Sequence, residues 1–181
     1  MATHIALLRG INVGKAKRVA MADLREIVAG LGYGDVKTLL NSGNVVFSAP
    51  GVKAVEAAQR IEKGLVTKLR IESRVTVLTA KEMRAVIDDN PFAAIATEPS
   101  RFLVAVPSTK ADLEKLRPHL ARNWSPEFFA LGSRVAYMWC PGGVLESGVN
   151  DVVGKTLRDA MTVRNWATMS KLHQLIPTAF R

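Results

Sequence analysis

One cysteine in 181 residues, Cys140, excludes an intramolecular disulfide and any cysteine-based metal cluster, and it points to a reducing compartment. Its neighbours Trp139 and Pro141 suit a packed strand end. None of His4, His119 and His173 stands at a spacing that supplies it with a base, so a structural thiol is expected. No apolar run approaches the ~20 residues that span a bilayer, and Met1-Ala2-Thr3-His4-Ile5 lacks a basic stretch leading into an apolar one. No membrane partner and a cytoplasmic location are therefore expected. Aromatic residues make up only 6% of the chain, few for a surface that stacks bases. Acids are scarce too: 16 Asp and Glu against 25 Lys and Arg leave a formal charge of +9, which favours anionic partners. The cations are scattered rather than gathered in one block, so a solvated basic surface explains them equally well.

Half of the residues are hydrophobic (48%), enough to bury one sizeable core or two small ones. Ile5 to Leu8 reads as a strand ending at Arg9, followed by a loop rich in glycine and cations. Met21, Leu24, Ile27, Val28 and Leu31 recur at helical spacing up to Gly32, which suits a left-handed helix end. Val36 to Leu40 and Val45 to Phe47 are strands joined by Asn41-Ser42-Gly43-Asn44, a hairpin-turn composition. A helix through Val55, Ile61 and Leu69 and a strand over Val75 to Leu78 complete the order strand, helix, strand, strand, helix, strand.

Thr79-x-x-Glu82 has the capping-box spacing, so a linking helix is expected to start there and stop before Asn90-Pro91. The same element order then recurs: a strand over Phe102 to Val106, a helix through Leu113 and Leu116 ending near Pro118, and strands Phe128 to Leu131 and Val135 to Cys140. A helix through Val152 and Leu157, a strand over Thr162 to Trp166 and a last helix through Met169, Leu172 and Ile176 close the chain. The expectation is an α+β protein of two ferredoxin-like (βαββαβ) units in tandem with antiparallel sheets. Residues 1–80 form the first unit, 81–99 a linking helix and loop, and 100–181 the second unit with a C-terminal helix.

In that topology the first and third strands are antiparallel neighbours, so Arg9 at the end of one lies near Asn44 at the start of the other. The candidate ligand-binding residues are Arg9, Gly10, Asn12, Gly14, Lys15, Asn41, Ser42 and Asn44 at this sheet edge, with Arg164 and Asn165 near the C-terminus. Arg9 finishes an apolar strand with a planar, bidentate cation. Thr168 is the expected N-cap of the helix after Arg164-Asn165-Trp166, whose free amides would favour an anion. Competing with this is a plain structural role, in which the asparagines serve turns and Trp166 packs in a core.

Nucleotide hydrolysis is disfavoured by spacing. Gly10-Ile11-Asn12-Val13-Gly14-Lys15 has three residues between its glycines where the phosphate loop needs four, and Ala16 replaces the metal-binding hydroxyl. Gly148 to Gly154-Lys155-Thr156 has five, and its second glycine falls inside a helix. No carboxylate pair or histidine spacing suggests acid-base or metal chemistry, so neither a reaction nor a cofactor is assigned. A site for a small anionic ligand bearing phosphate or carboxylate is preferred, with nucleic-acid binding as the alternative and a purely structural partner role as a third reading.

Leu8-Arg9-Gly10-Ile11-Asn12-Val13-Gly14, Ser42-Gly43-Asn44-Val45-Val46-Phe47, Asn90-Pro91-Phe92 and Thr162-Val163-Arg164-Asn165-Trp166 through Lys171-Leu172 resemble, in order and over nearly the whole chain, the bacterial domain-of-unknown-function family 1697. The resemblance implies two similar alpha-beta subdomains and carries no activity with it. One departure is the segment Glu146-Ser147-Gly148-Val149-Asn150-Asp151, where that family commonly runs from a glycine and a serine straight into a short helix.

Overall fold

The computed structural model describes residues 2–180. Among the described residues, two four-stranded antiparallel sheets and six α-helices make an α+β architecture, and the chain divides into two compact units, 1–84 with 172–181, and 85–171. The last ten residues, expected in the second unit, thus group with the first. Leu172 and Ile176 of this segment are fully buried, and Leu175 and Pro177 line a cavity of about 240 Å³ together with Thr3, Val46, Phe47 and Ser48 of that unit.

In the first unit the order is β1 (Thr3–Leu8), α1 (Met21–Gly30), β2 (Gly34–Leu39), β3 (Asn44–Ser48), α2 (Ala54–Leu69) and β4 (Val75–Thr79), followed by α3 (Ala80–Asp88). The sheet runs β2-β3-β1-β4. Leu7 stands opposite Asn44 on β3 and Thr76 on β4, which places the end of β1 beside the start of β3 as the element order implies. One face of the sheet, Ala6, Leu8, Val45, Phe47, Val75 and Val77, packs on Leu24, Ile27 and Val28 of α1 and Ala57, Ile61 and Leu65 of α2. Each such aliphatic side chain contributes roughly 1.5–3 kcal/mol on burial. The alternate residues Ile5, Leu7, Asn44, Val46, Thr76 and Leu78 are buried as well, so the central strands are closed on both faces. Gly32 takes φ +84° and its N–H reaches Ala29 O, ending α1 as its position in the sequence suggests. The capping box forms: Glu82 N–H donates to Thr79 Oγ1 and Thr79 N–H to Glu82 Oε2.

The second unit repeats the order with β5 (Phe102–Pro107), α4 (Lys110–Glu114), β6 (Phe128–Leu131), β7 (Ala136–Trp139), α5 (Gly148–Leu157) and β8 (Met161–Asn165), before α6 (Trp166–Leu175), in a sheet ordered β6-β7-β5-β8. Leu103, Ala105, Ala136 and Met138 face Leu113, Leu116, Val149, Val153 and Leu157. The helix expected to continue to Pro118 stops at Glu114 and gives way to a 3-10 turn over Arg117–Ala121. Proline has no N–H and excludes the α conformation from the residue before it, so one continuous helix cannot run through. Ser147 is the N-cap of α5, its hydroxyl accepting from Asn150 N–H, so the segment Glu146 to Asp151 passes through one serine into the helix after all.

Candidate functional site

The loop after β1 owes its shape to Asn12. This residue is left-handed, with φ +55°, and its side chain works as a clamp: Oδ1 accepts from Val19 N–H at 2.8 Å, while Nδ2 donates to Val19 O at 2.9 Å and to Asn41 O at 2.6 Å. Asn12 N–H also donates to Lys17 O. Four bonds therefore close residues 12–19 into a fixed ring and tie it to the β2–β3 turn. Gly10, Gly14 and Lys17 are left-handed too, at φ +66°, +62° and +50°. Residues 10, 12 and 14 thus alternate with residues of negative φ, so the loop backbone folds tightly on itself.

Arg9 is half-buried at the end of β1, held by its backbone: its N–H donates to Arg74 O and its carbonyl accepts from Ser73 Oγ at 2.8 Å. Lys15, Lys17 and Arg18 are exposed, and residues 9–20 contain no acid. Lys17, Arg18, Ser73 and Val19 are members of this arrangement that sequence reasoning missed. The cations were visible next to Lys15, whereas Ser73 and Val19 are brought in by backbone pairing alone.

Asn44 is fully buried, and its Nδ2 donates to Leu39 O at 2.9 Å and to Ser42 Oγ at 3.0 Å. Gly43 between them has φ +85°, and a Cβ there would lie 2.6 Å from Leu8 Cβ. Asn41 and Ser42 are exposed at the turn. Asn12 and Asn44 are thus committed to building the edge, because buried backbone carbonyls and amides must be paired. Gly10, Gly14, Lys15, Asn41 and Ser42 form its exposed surface.

Arg164 and Asn165 lie at the end of β8 in the second unit. Arg164 is half-buried, its Nη1 donating to Thr162 Oγ1 at 2.8 Å and to Val163 O at 3.0 Å, and the loss of water pulls its pKa down to about 10. It remains a cation at neutral pH. Asn165, not Thr168, caps α6: Asn165 Oδ1 accepts from Thr168 N–H at 2.9 Å. The helix starts at Trp166, earlier than the apolar spacing suggests, because the Trp166 ring stacks on Phe102 at 4.9 Å between centroids and carries the first turn with it.

Cys140 is fully buried and its thiol pKa is raised, first by burial and then by the charge of Glu127. A protonated, enclosed thiol is no nucleophile. We expect a thiol reagent such as Ellman's to label Cys140 only after denaturation, and rapid labelling of the native protein would refute the packing described for the end of β7.

Comparison with known proteins adds the following. The family model "Protein of unknown function (DUF1697)" matches residues 1–137. No curated protein matches the chain. Among solved structures, the conserved bacterial protein SP0830 from Streptococcus pneumoniae is similar at a TM-score of 0.81 and 21% identity, covering 97% of this chain and 99% of that one. At that identity the likeness concerns the fold alone.

Proposed function

We propose, for a chain that belongs to the DUF1697 family of proteins of unknown function, that the loop over residues 9–18 binds a small anion bearing phosphate or carboxylate. The observation that carries this reading is a loop held rigid by Asn12 that presents Lys15, Lys17 and Arg18 with no acid among them. The left-handed and exposed Gly10 and Gly14 support it, because without a side chain they leave the loop backbone open to close approach by a ligand. We read both units as ferredoxin-like, which the strand orders and the helices on one face support. Nucleic-acid recognition in the manner of RNA-binding sheets is disfavoured, because β1 and β3 are buried on both faces and Phe47 is enclosed between His4 and Tyr33.

Inorganic phosphate is the direct probe. Its addition should stabilise the parent protein by mass action, by about 1.4 kcal/mol at ten times the dissociation constant, and raise its melting temperature accordingly. The exposed triple variant Lys15→Ala/Lys17→Ala/Arg18→Ala should fold normally and lose this response. Asn12→Ala keeps every cation and should also lose most of it, because the loop no longer holds its shape. Equal responses in all three proteins would remove the site. Nanomolar affinity for RNA or DNA that persists at physiological salt would replace the small anion with a nucleic acid.

A further inference from the structure

A second feature lies in the first unit and shares no residue with the loop. Between α1 and α2 runs an open cleft of about 880 Å³, lined by Asp23 and Glu26 on one side and Lys63 and Lys68 on the other. Its size is within the range of small-molecule sites. The helices come closest at Ile27 and Gly64, where a Cβ on the glycine would lie 2.7 Å from Ile27 Cγ2. Since β1 and β2 both run antiparallel to β3, the helices that follow β1 and β3 run antiparallel to each other. Lys68, four residues beyond Gly64, therefore stands level with Asp23, four residues before Ile27, and Glu26 and Lys63 flank the crossing.

One wall is acidic and the other basic. Among the described residues no ion pair joins Asp23 or Glu26 to Lys63 or Lys68, while Arg60 is taken by Glu56 on its own helix. Ile27, Gly30, Leu31, Gly64 and Leu69 give an apolar floor. A plain anion in this cleft meets the carboxylates, a plain cation meets the lysines, and an uncharged molecule pairs with neither wall. A molecule with an ammonium and a carboxylate at one end and an apolar body satisfies all three surfaces at once. We infer that the α1–α2 cleft binds an α-amino acid with an apolar side chain, its ammonium against Asp23 and Glu26, its carboxylate against Lys63 and Lys68, and its side chain on the floor.

Isothermal titration of the full chain with L-leucine and L-phenylalanine tests this, set against L-leucine amide, which lacks the carboxylate, and N-acetyl-L-leucine, which lacks the ammonium. Each loss of charge is expected to weaken binding about tenfold or more. Gly30→Leu is the blocking variant: a Cβ at Gly30 meets nothing within 4 Å, so the new side chain occupies the cleft without disturbing the helix. It should fold at least as well as the parent and bind neither amino acid. Lys63→Glu, on an exposed position, should weaken L-leucine while sparing L-leucine amide. Absence of saturable binding by both amino acids, binding of either capped analogue as tight as that of L-leucine, or unchanged affinity in Gly30→Leu would each overturn the assignment.

Discussion

Gly43→Val should be the most damaging single substitution in the first unit. The residue sits at φ +85°, a region closed to β-branched side chains, and its Cβ would lie 2.6 Å from Leu8 Cβ and 2.9 Å from Ile11 Cδ1. Leu8 has no room to yield, being fully buried in the sheet, with its own N–H bonded to Gly43 O at 2.8 Å. Backbone strain of roughly 1–3 kcal/mol and overpacking of another 1–3 together give a loss of about 4 kcal/mol, a large part of a domain's stability. Gly10→Ala separates the two causes. Gly10 is also left-handed, at φ +66°, but nothing lies within 4 Å of its would-be Cβ, so only about 1 kcal/mol of strain is expected. Urea denaturation of both variants measures the difference. Similar midpoints would mean that the β2–β3 turn does not press on β1 as described.

Glu127→Ala should be the most damaging polar substitution in the second unit. The Glu127 carboxylate sits at the N-terminus of α5, accepting from Ser147 Oγ at 2.5 Å, Gly148 N–H at 2.9 Å and Val149 N–H at 3.2 Å. It fills the anion position that a helix start offers and fixes Ser147, which in turn caps Asn150 N–H. Removing it leaves the buried serine without that acceptor and two amides without theirs, at a cost of about 3 kcal/mol, since hydrogen bonds to charged groups contribute roughly 1.5–3 kcal/mol. Glu127→Gln keeps one accepting oxygen and should lose about half as much. If thermal unfolding shows Glu127→Ala within 0.5 kcal/mol of the parent, ~the usual scatter of surface substitutions, the carboxylate is not holding the helix start.

The candidate site was legible in the sequence only by composition. Glycines and asparagines beside a strand end announced a shaped loop, and Lys15 its charge, but the same letters serve a ligand or a turn equally well. Asn12 and Asn44 illustrate the difference. Both went into the building of the edge, Asn12 through Val19 and Asn41, and Asn44 through Leu39 and Ser42. No spacing rule links residue 12 to residue 41, because that bond exists only once the β2–β3 turn is folded next to the first loop. The α1–α2 cleft was illegible for a similar reason: Asp23 and Lys68 read as solvated helix faces until the packing of Ile27 on Gly64 sets them across one groove.

By itself, the sequence determined the element order of both halves, the capping box at Thr79 and Glu82, the left-handed end of α1 at Gly32 and the burial of β1. These depend on local periodicity and on conformations that single residues demand, and both act over a few positions of chain. Tertiary structure decided which polar side chains became mortar, that the C-terminal residues group with the first unit and that α6 begins at Trp166. In those places local preference was weak or divided. Stacking of Trp166 on Phe102, burial of Leu172 and Ile176, and the pairing of backbone groups distant in sequence outweighed it, because contacts made at long range release more free energy than a residue or two of helix propensity can oppose.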